Sequence, residues 1–222
     1  MSSYRKEIGD SETLTLRDLL KKFERFSCPV FQRRYSWGPS EVNILIEDLL
    51  SLIIDVSSEN EYRFLGAVVL SYYEEERRGQ GESSHIVDGQ QRLISLFLIN
   101  FALEKINQEL ELNRSLHLSN FFVDDERLDG GRVKLLPSFW DRRDMNYLLK
   151  KIGRNKKSLI VENDLPESAD QQVGENNIPK NFLIIYEQLY EVVDQQENPA
   201  EFLEDLQLRI LDNLCFSVIT VG

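Results

Sequence analysis

The sequence predicts an α+β fold: a small mixed sheet flanked by helices, followed by a mainly helical region. Three observations carry this. Tyr62 to Tyr73 (YRFLGAVVLSYY) is dense in aromatic and β-branched residues, as a strand is. Ser84 to Val87 reads as its returning partner, and the apolar run Leu93 to Leu110 follows at helical length. After Phe121 the patterning is mostly helical, until Leu214 to Val221 ends the chain as a strand.

Taken in order, Thr15-Leu16-Arg17-Asp18 has the form of a capping box and opens a helix ending near Phe26. Ser27 to Phe31 is expected to be extended, with Pro29 confining it to a sheet edge. Gly38-Pro39-Ser40 starts a second helix, whose Val42, Leu45, Ile46, Leu49, Leu50 and Ile53 share one buried face. Glu74 to Ser83 suits a hairpin loop. Arg132 to Leu136 is a short strand ended by Pro137, and Asp141 to Lys151 a helix. The polar stretch 155–179 reads as a loop, before helices at Asn181 to Gln195 and Ala200 to Asn213. Residues 1–120 are expected to form the core unit, and 121–222 a helical extension packed on it. The abrupt stop on a strand suggests a piece of a longer protein.

Bulk composition narrows the setting. A net charge of −12 argues against the whole surface clamping nucleic acid, though not against a local basic cleft. No apolar run reaches the roughly 20 residues of a membrane span, and Met1 to Lys6 lacks the apolar core of a secretory signal. Cys28 and Cys215 form no disulfide framework or metal set, so a cytoplasmic protein is expected. No Walker loop, dinucleotide fingerprint or Gly-x-Ser-x-Gly elbow is present. His85 and His117 are the only histidines, without a zinc-ligand pattern around them.

Two constellations stand out. Asp88-Gly89-Gln90-Gln91-Arg92 lies where a strand passes into a helix, the place where backbone N–H groups can meet an anion. Asp88 as N-cap with Gln91 three residues on would make a capping box, and Gly89 would ease the turn. Capping leaves Gln90 and Arg92 unexplained, and a cation in the first helical turn opposes the macrodipole. The second constellation is Phe31-Gln32-Arg33-Arg34-Tyr35-Ser36-Trp37, two arginines among three aromatics. These residues can hold a phosphate and stack a base, or else send the aromatics inward and the arginines to solvent.

Together, Val30 to Trp37, Phe64-Leu65-Gly66-Ala67-Val68-Val69-Leu70 and Ile86 to Leu93 occur in an order that resembles the N-terminal domain of GmrSD-type restriction endonucleases, related to ParB and sulfiredoxin folds. Arg132 to Pro137 and Cys215 to Ile219 extend the similarity. The resemblance implies a nucleoside triphosphate-binding and hydrolysing domain in bacterial defence against modified phage DNA. It marks Asp88, Gly89, Gln90, Gln91 and Arg92 for the nucleotide, with GTP or ATP and Mg2+ as cofactors. Gln32, Arg33, Tyr35 and Trp37 would face the same cleft or help read modified DNA. The family's C-terminal His-Asn-His nuclease is not matched, since no histidine follows His117, so cleavage would belong to a separate nuclease domain.

The mechanism expected is phosphoryl hydrolysis without a P-loop. Arg92 and the first-turn N–H groups hold phosphate oxygens, with Arg33 or Arg34 opposite. Asp88 binds a divalent ion or orients the attacking water, Gln90 or Gln91 positions that water, and Tyr35 or Trp37 stacks on the base. A sensor that binds nucleotide or modified DNA without turnover is the alternative, and a plain interaction scaffold is the third. The partners expected are nucleotide, DNA and a nuclease, without a membrane. Homo-oligomerisation is compatible with all three readings.

Overall fold

A computed structural model describes residues 11–54, 62–73, 83–115, 134–151 and 177–221. The expected hairpin loop at 74–82, His117, the start of the strand at Arg132 and most of the polar stretch 155–179 lie outside them.

The expected α+β class is the one observed. Among the described residues six strands form one mixed sheet: β1 (Ser11–Thr15), β2 (Arg25–Ser27), β3 (Arg63–Tyr73), β4 (Ser83–Asp88), β5 (Leu135–Leu136) and β6 (Leu214–Val221). Their spatial order is β1-β6-β3-β4-β2-β5. β6 lies parallel to β3 and antiparallel to β1, while β3 and β4 are antiparallel. β4, β2 and β5 run parallel, so the turns that leave all three emerge at one end of the sheet. In sheets of this kind ligands collect beyond the carboxyl ends of parallel strands.

The helices are α1 (Leu16–Lys22), α2 (Pro39–Ile54), α3 (Gln90–Glu109), α4 (Arg142–Lys151), α5 (Asn177–Asp194) and α6 (Pro199–Asn213). Thr15 caps α1, its Oγ1 accepting from the Asp18 amide at 3.1 Å, as the sequence pattern requires. Residues on every side of α3 are buried, from Leu93 to Ile106, which makes it the central helix. It packs against α5, while α6 covers α1 and α2.

Several expectations need correction. α1 stops at Lys22, because the next residues are taken by the sheet: Arg25–Ser27 pair with β4 on one side, and Phe26 and Ser27 pair with β5 on the other. β2 is therefore an interior strand, and Pro29 falls after it in a turn closed by the Gln32 amide donating to the Pro29 carbonyl at 3.0 Å. A proline there removes no ladder hydrogen bond. α5 begins at Asn177, so Pro179 sits in its first turn, where a missing N–H costs nothing. β1 was not foreseen. Its five residues are too short for the pattern to register, yet they pair with β6 from Ser11↔Ile219 to Thr15↔Cys215.

Candidate functional site

The β4–α3 turn is built around Gly89. Its φ of 95° lies in the left-handed region, and a Cβ there would meet Val68 Cγ2 at 3.0 Å. Only glycine fits both the conformation and the close approach to β3. Gly89 itself is the N-cap of α3 and supplies no side chain to it. The expected capping box is not formed. Asp88 Oδ1 accepts from the adjacent Gly89 amide at 2.8 Å, and Gln91 turns to another segment. The first helical hydrogen bond runs from the Leu93 amide to the Gly89 carbonyl at 3.1 Å. The amides of Gln90, Gln91 and Arg92 accordingly meet no acceptor among the described residues.

Gln91 grips the segment Arg33 to Trp37. Its Oε1 accepts from the amides of Ser36 (2.8 Å) and Trp37 (3.3 Å), and its Nε2 donates to the Arg34 carbonyl at 3.2 Å. Gln90 Nε2 donates to the Arg33 carbonyl at 3.0 Å. Gln90 is only 5% exposed, and its Oε1 is buried with no partner. Gln32 Nε2 reaches the Val87 carbonyl at 3.0 Å from the other side. Three glutamines thus stitch this loop to the end of β4 and the start of α3.

Arg92 folds back onto β3. Its Nη1 donates to the Ala67 carbonyl at 2.5 Å, and its guanidinium covers Gly66, whose φ is 92°. A Cβ at Gly66 would stand 3.2 Å from that guanidinium. The β3–β6 register shifts between Phe64 and Ala67, so the glycine marks a bulge that makes room for the arginine. The three sequence motifs therefore meet at one place, the loop after β2, the bulge of β3 and the turn after β4.

Within the loop, side chains divide by environment. Arg33 is exposed and pairs with no acid among the described residues. Phe31 is 87% exposed. Tyr35 is buried, its hydroxyl 2.7 Å from Ser95 Oγ and accepting from Asn181 Nδ2 at 3.2 Å. Burial pushes that phenol's pKa up. Trp37 is half-buried against the core, and its carbonyl accepts from Asn181 Nδ2 at 2.8 Å. Arg34 is half-buried too: its Nη2 donates to the Trp140 carbonyl at 3.2 Å, and its buried Nε has no partner.

A family model described as the GmrSD restriction endonuclease, N-terminal domain, matches residues 16–220. The chain belongs to that family. No curated protein matches it. GmrSD membership makes this a domain of an anti-phage restriction system, whose substrate is DNA and whose other component is a nuclease domain. No helix among the described residues is long and apolar enough to cross a membrane.

The GmrSD match runs from α1 to β6 and so spans all three converging segments. It also spans residues that motif reading passed over: Gly66 as the seat of Arg92, Ser95 and Asn181 on Tyr35, and Asp141 with Ser138. Asp141 is 4% exposed; its Oδ2 accepts from the Tyr35 amide at 2.8 Å and from Ser138 Oγ at 2.7 Å. In sequence it was merely the start of a helix. The thiol of Cys28 nearby is buried, and burial pushes its pKa up to about 12.

Among the described residues no three His, Cys, Asp or Glu side chains cluster as a metal site. Mg2+ that arrives with a nucleotide needs only one or two carboxylates besides the phosphates. Asp88 is exposed beside the uncapped turn and has an oxygen beyond the one held by Gly89, which fits that limited demand.

Proposed function

We propose that this domain binds and hydrolyses a nucleoside triphosphate, GTP or ATP, and thereby regulates or powers DNA cleavage by the nuclease domain. The observation that carries this reading is the uncapped first turn of α3, bordered by the fixed cation of Arg92 and the carboxylate of Asp88, with the exposed Arg33 on the loop whose backbone Gln90 holds. Free backbone N–H groups, the positive end of a helix and two guanidinium groups suit phosphate oxygens. Arg92 holds its place through Ala67 and offers its remaining N–H groups to the anion, while Arg33 neutralises charge from the loop. Asp88 would hold Mg2+, which when bound supplies charge neutralisation at the phosphates. Gln90, with Oε1 uncommitted, orients a water better than Gln91, both ends of whose amide are used by the loop backbone.

The ParB/sulfiredoxin kinship implied by the motifs, a cytoplasmic setting and recognition of modified DNA by the Gln32-to-Trp37 segment belong to the same reading, with which a homo-oligomer is compatible. Base stacking falls to Trp37, since Tyr35 faces the core. Phosphate release from ATP and GTP, with Mg2+ present, tests it. Asp88→Ala and Arg92→Ala should each lower kcat/KM about 100-fold, the scale of losing one charge-stabilising group. Wild-type turnover in both variants would sink the proposal.

A second reading is a sensor that binds without hydrolysis. It is favoured by the glutamine bonds, which spend three amides on holding backbone. Tight nucleotide binding with no phosphate release would select it.

A further inference from the structure

The Arg33-to-Trp37 segment is gripped from two sides. The glutamines of α3 hold it at the nucleotide turn, and the helical region holds its opposite side through Asp141 and Asn181. Asp141 hydrogen-bonds no side chain proposed to hold ligand, and Arg34 acts on it only through its charge. Its Oδ2 instead takes two hydrogen bonds, from the Tyr35 amide and from Ser138 Oγ, inside a buried junction. The Tyr35 amide is the link directly after Arg34 and two residues past Arg33, whose carbonyl receives Gln90. Arg34 reaches the Trp140 carbonyl beside it. A buried acceptor that satisfies two donors on separate segments fixes both, because losing it leaves each donor unpaired.

We propose that Asp141 is a positioning residue: through the Tyr35 amide it sets the backbone of residues 33–37, and so the placement of Arg33 against the α3 turn. This rests on the nucleotide reading above. It makes the turn before α4 the point at which events in the helical region reach the site. A shift of α4 that pulls Asp141 from Tyr35 releases the loop, and nucleotide bound by Arg33 resists that shift in return.

The chain reports on this junction by itself, since its two tryptophans are Trp37 and Trp140. The experiment compares the unaltered chain with Asp141→Ala, Asp141→Asn and Ser138→Ala. It measures tryptophan emission without ligand, the Kd for non-hydrolysable ATP and GTP analogues with Mg2+, and turnover at saturation. Asp141→Ala should shift the emission and weaken analogue binding about tenfold, with a smaller loss of turnover at saturation; a tenfold change is a moderate loss of binding free energy. Asp141→Asn keeps a carbonyl oxygen for both donors and should recover binding to within about threefold. Ser138→Ala loosens the same oxygen and should weaken binding about threefold, which decides the matter if Asp141→Ala does not fold. Unchanged emission and unchanged Kd in Asp141→Ala, or in Ser138→Ala where the former is unfolded, overturns the proposal. So does a loss in Asp141→Asn equal to that in Asp141→Ala. If the unaltered chain binds neither analogue, the nucleotide reading fails and the proposed link to Arg33 falls with it.

Discussion

Gly89 concentrates two demands in one position, a left-handed backbone and a close approach to Val68 on β3. An added methyl therefore meets strain twice. Gly89→Ala should cost about 1–3 kcal/mol of stability, the range for a non-glycine residue forced into such a conformation, measured by urea unfolding. A loss below about 0.5 kcal/mol, the level of an ordinary surface substitution, would mean that the turn can relax. Asp141 carries a prediction of a different kind. Burial raises its pKa, outweighing Ser138, the Tyr35 amide and Arg34, which act to lower it. A raised folded pKa means that the native state binds the proton more tightly than the unfolded chain. The resulting stabilisation is complete below the ordinary carboxylate pKa and is lost as pH rises through the raised one. Asp141→Asn has no proton to lose. Its stability relative to the unaltered protein should rise from about pH 4 upward and be level below. A relative stability that stays constant from pH 4 to pH 7 in urea unfolding would refute this sign.

Among elements, the loop after β2 shows most clearly what sequence patterns carry and where they stop. Its motif was visible as two arginines among aromatics, and the helix at Pro39 and strand at Tyr62 were placed nearly as observed. The inward turn of Tyr35 was one of two readings left open, since alternation alone does not say which side of an irregular segment meets the core. Partners 55 to 146 residues away decide it, Gln91 and Asn181 among them. The capping box failed for a related reason. The expected box put the N-cap at Asp88, but the helix takes Gly89 as its N-cap, one residue later, and the amides of the neighbouring loop take the glutamine. Local chemistry proposes such a bond, and tertiary contacts can reassign it. That reassignment makes Gln91→Ala a test of the grip. Removing the amide strands the Ser36 amide and the Arg34 carbonyl and should cost about 1–3 kcal/mol in thermal or urea unfolding. A variant as stable as the parent would show that water serves these groups equally well.

At the scale of the molecule, the α+β class was legible because it depends on the order of apolar runs, which the sequence displays directly. The sheet order was not. β2 was expected at an edge and lies inside, because its ladder partners are β4 and β5, and although the strand at Leu136 was legible, nothing in the sequence says that it pairs with a segment more than 100 residues earlier. Surface charge contributes little to this scale. Arg17 and Asp212 tie α1 to α6 across the exposed rim, and a pair of that kind is worth at most about 1 kcal/mol. The sheet and the buried α3 hold the parts together instead.

β6 has the longest reach of any strand. It pairs Ile219 with Ser11 on one side and with Val69 on the other, so the sheet directly joins the first and last strands of the described residues. During synthesis β1 and β3 emerge long before β6 exists and have no one to lie between them. Contacts this far apart in sequence close slowly. The glycine turn and its arginines therefore acquire their final frame only when β6 arrives. A ribosome-bound chain lacking that strand would carry the motif without a finished seat for it, so ligand capture by nascent chains should begin abruptly, after release of the last strand rather than after α3.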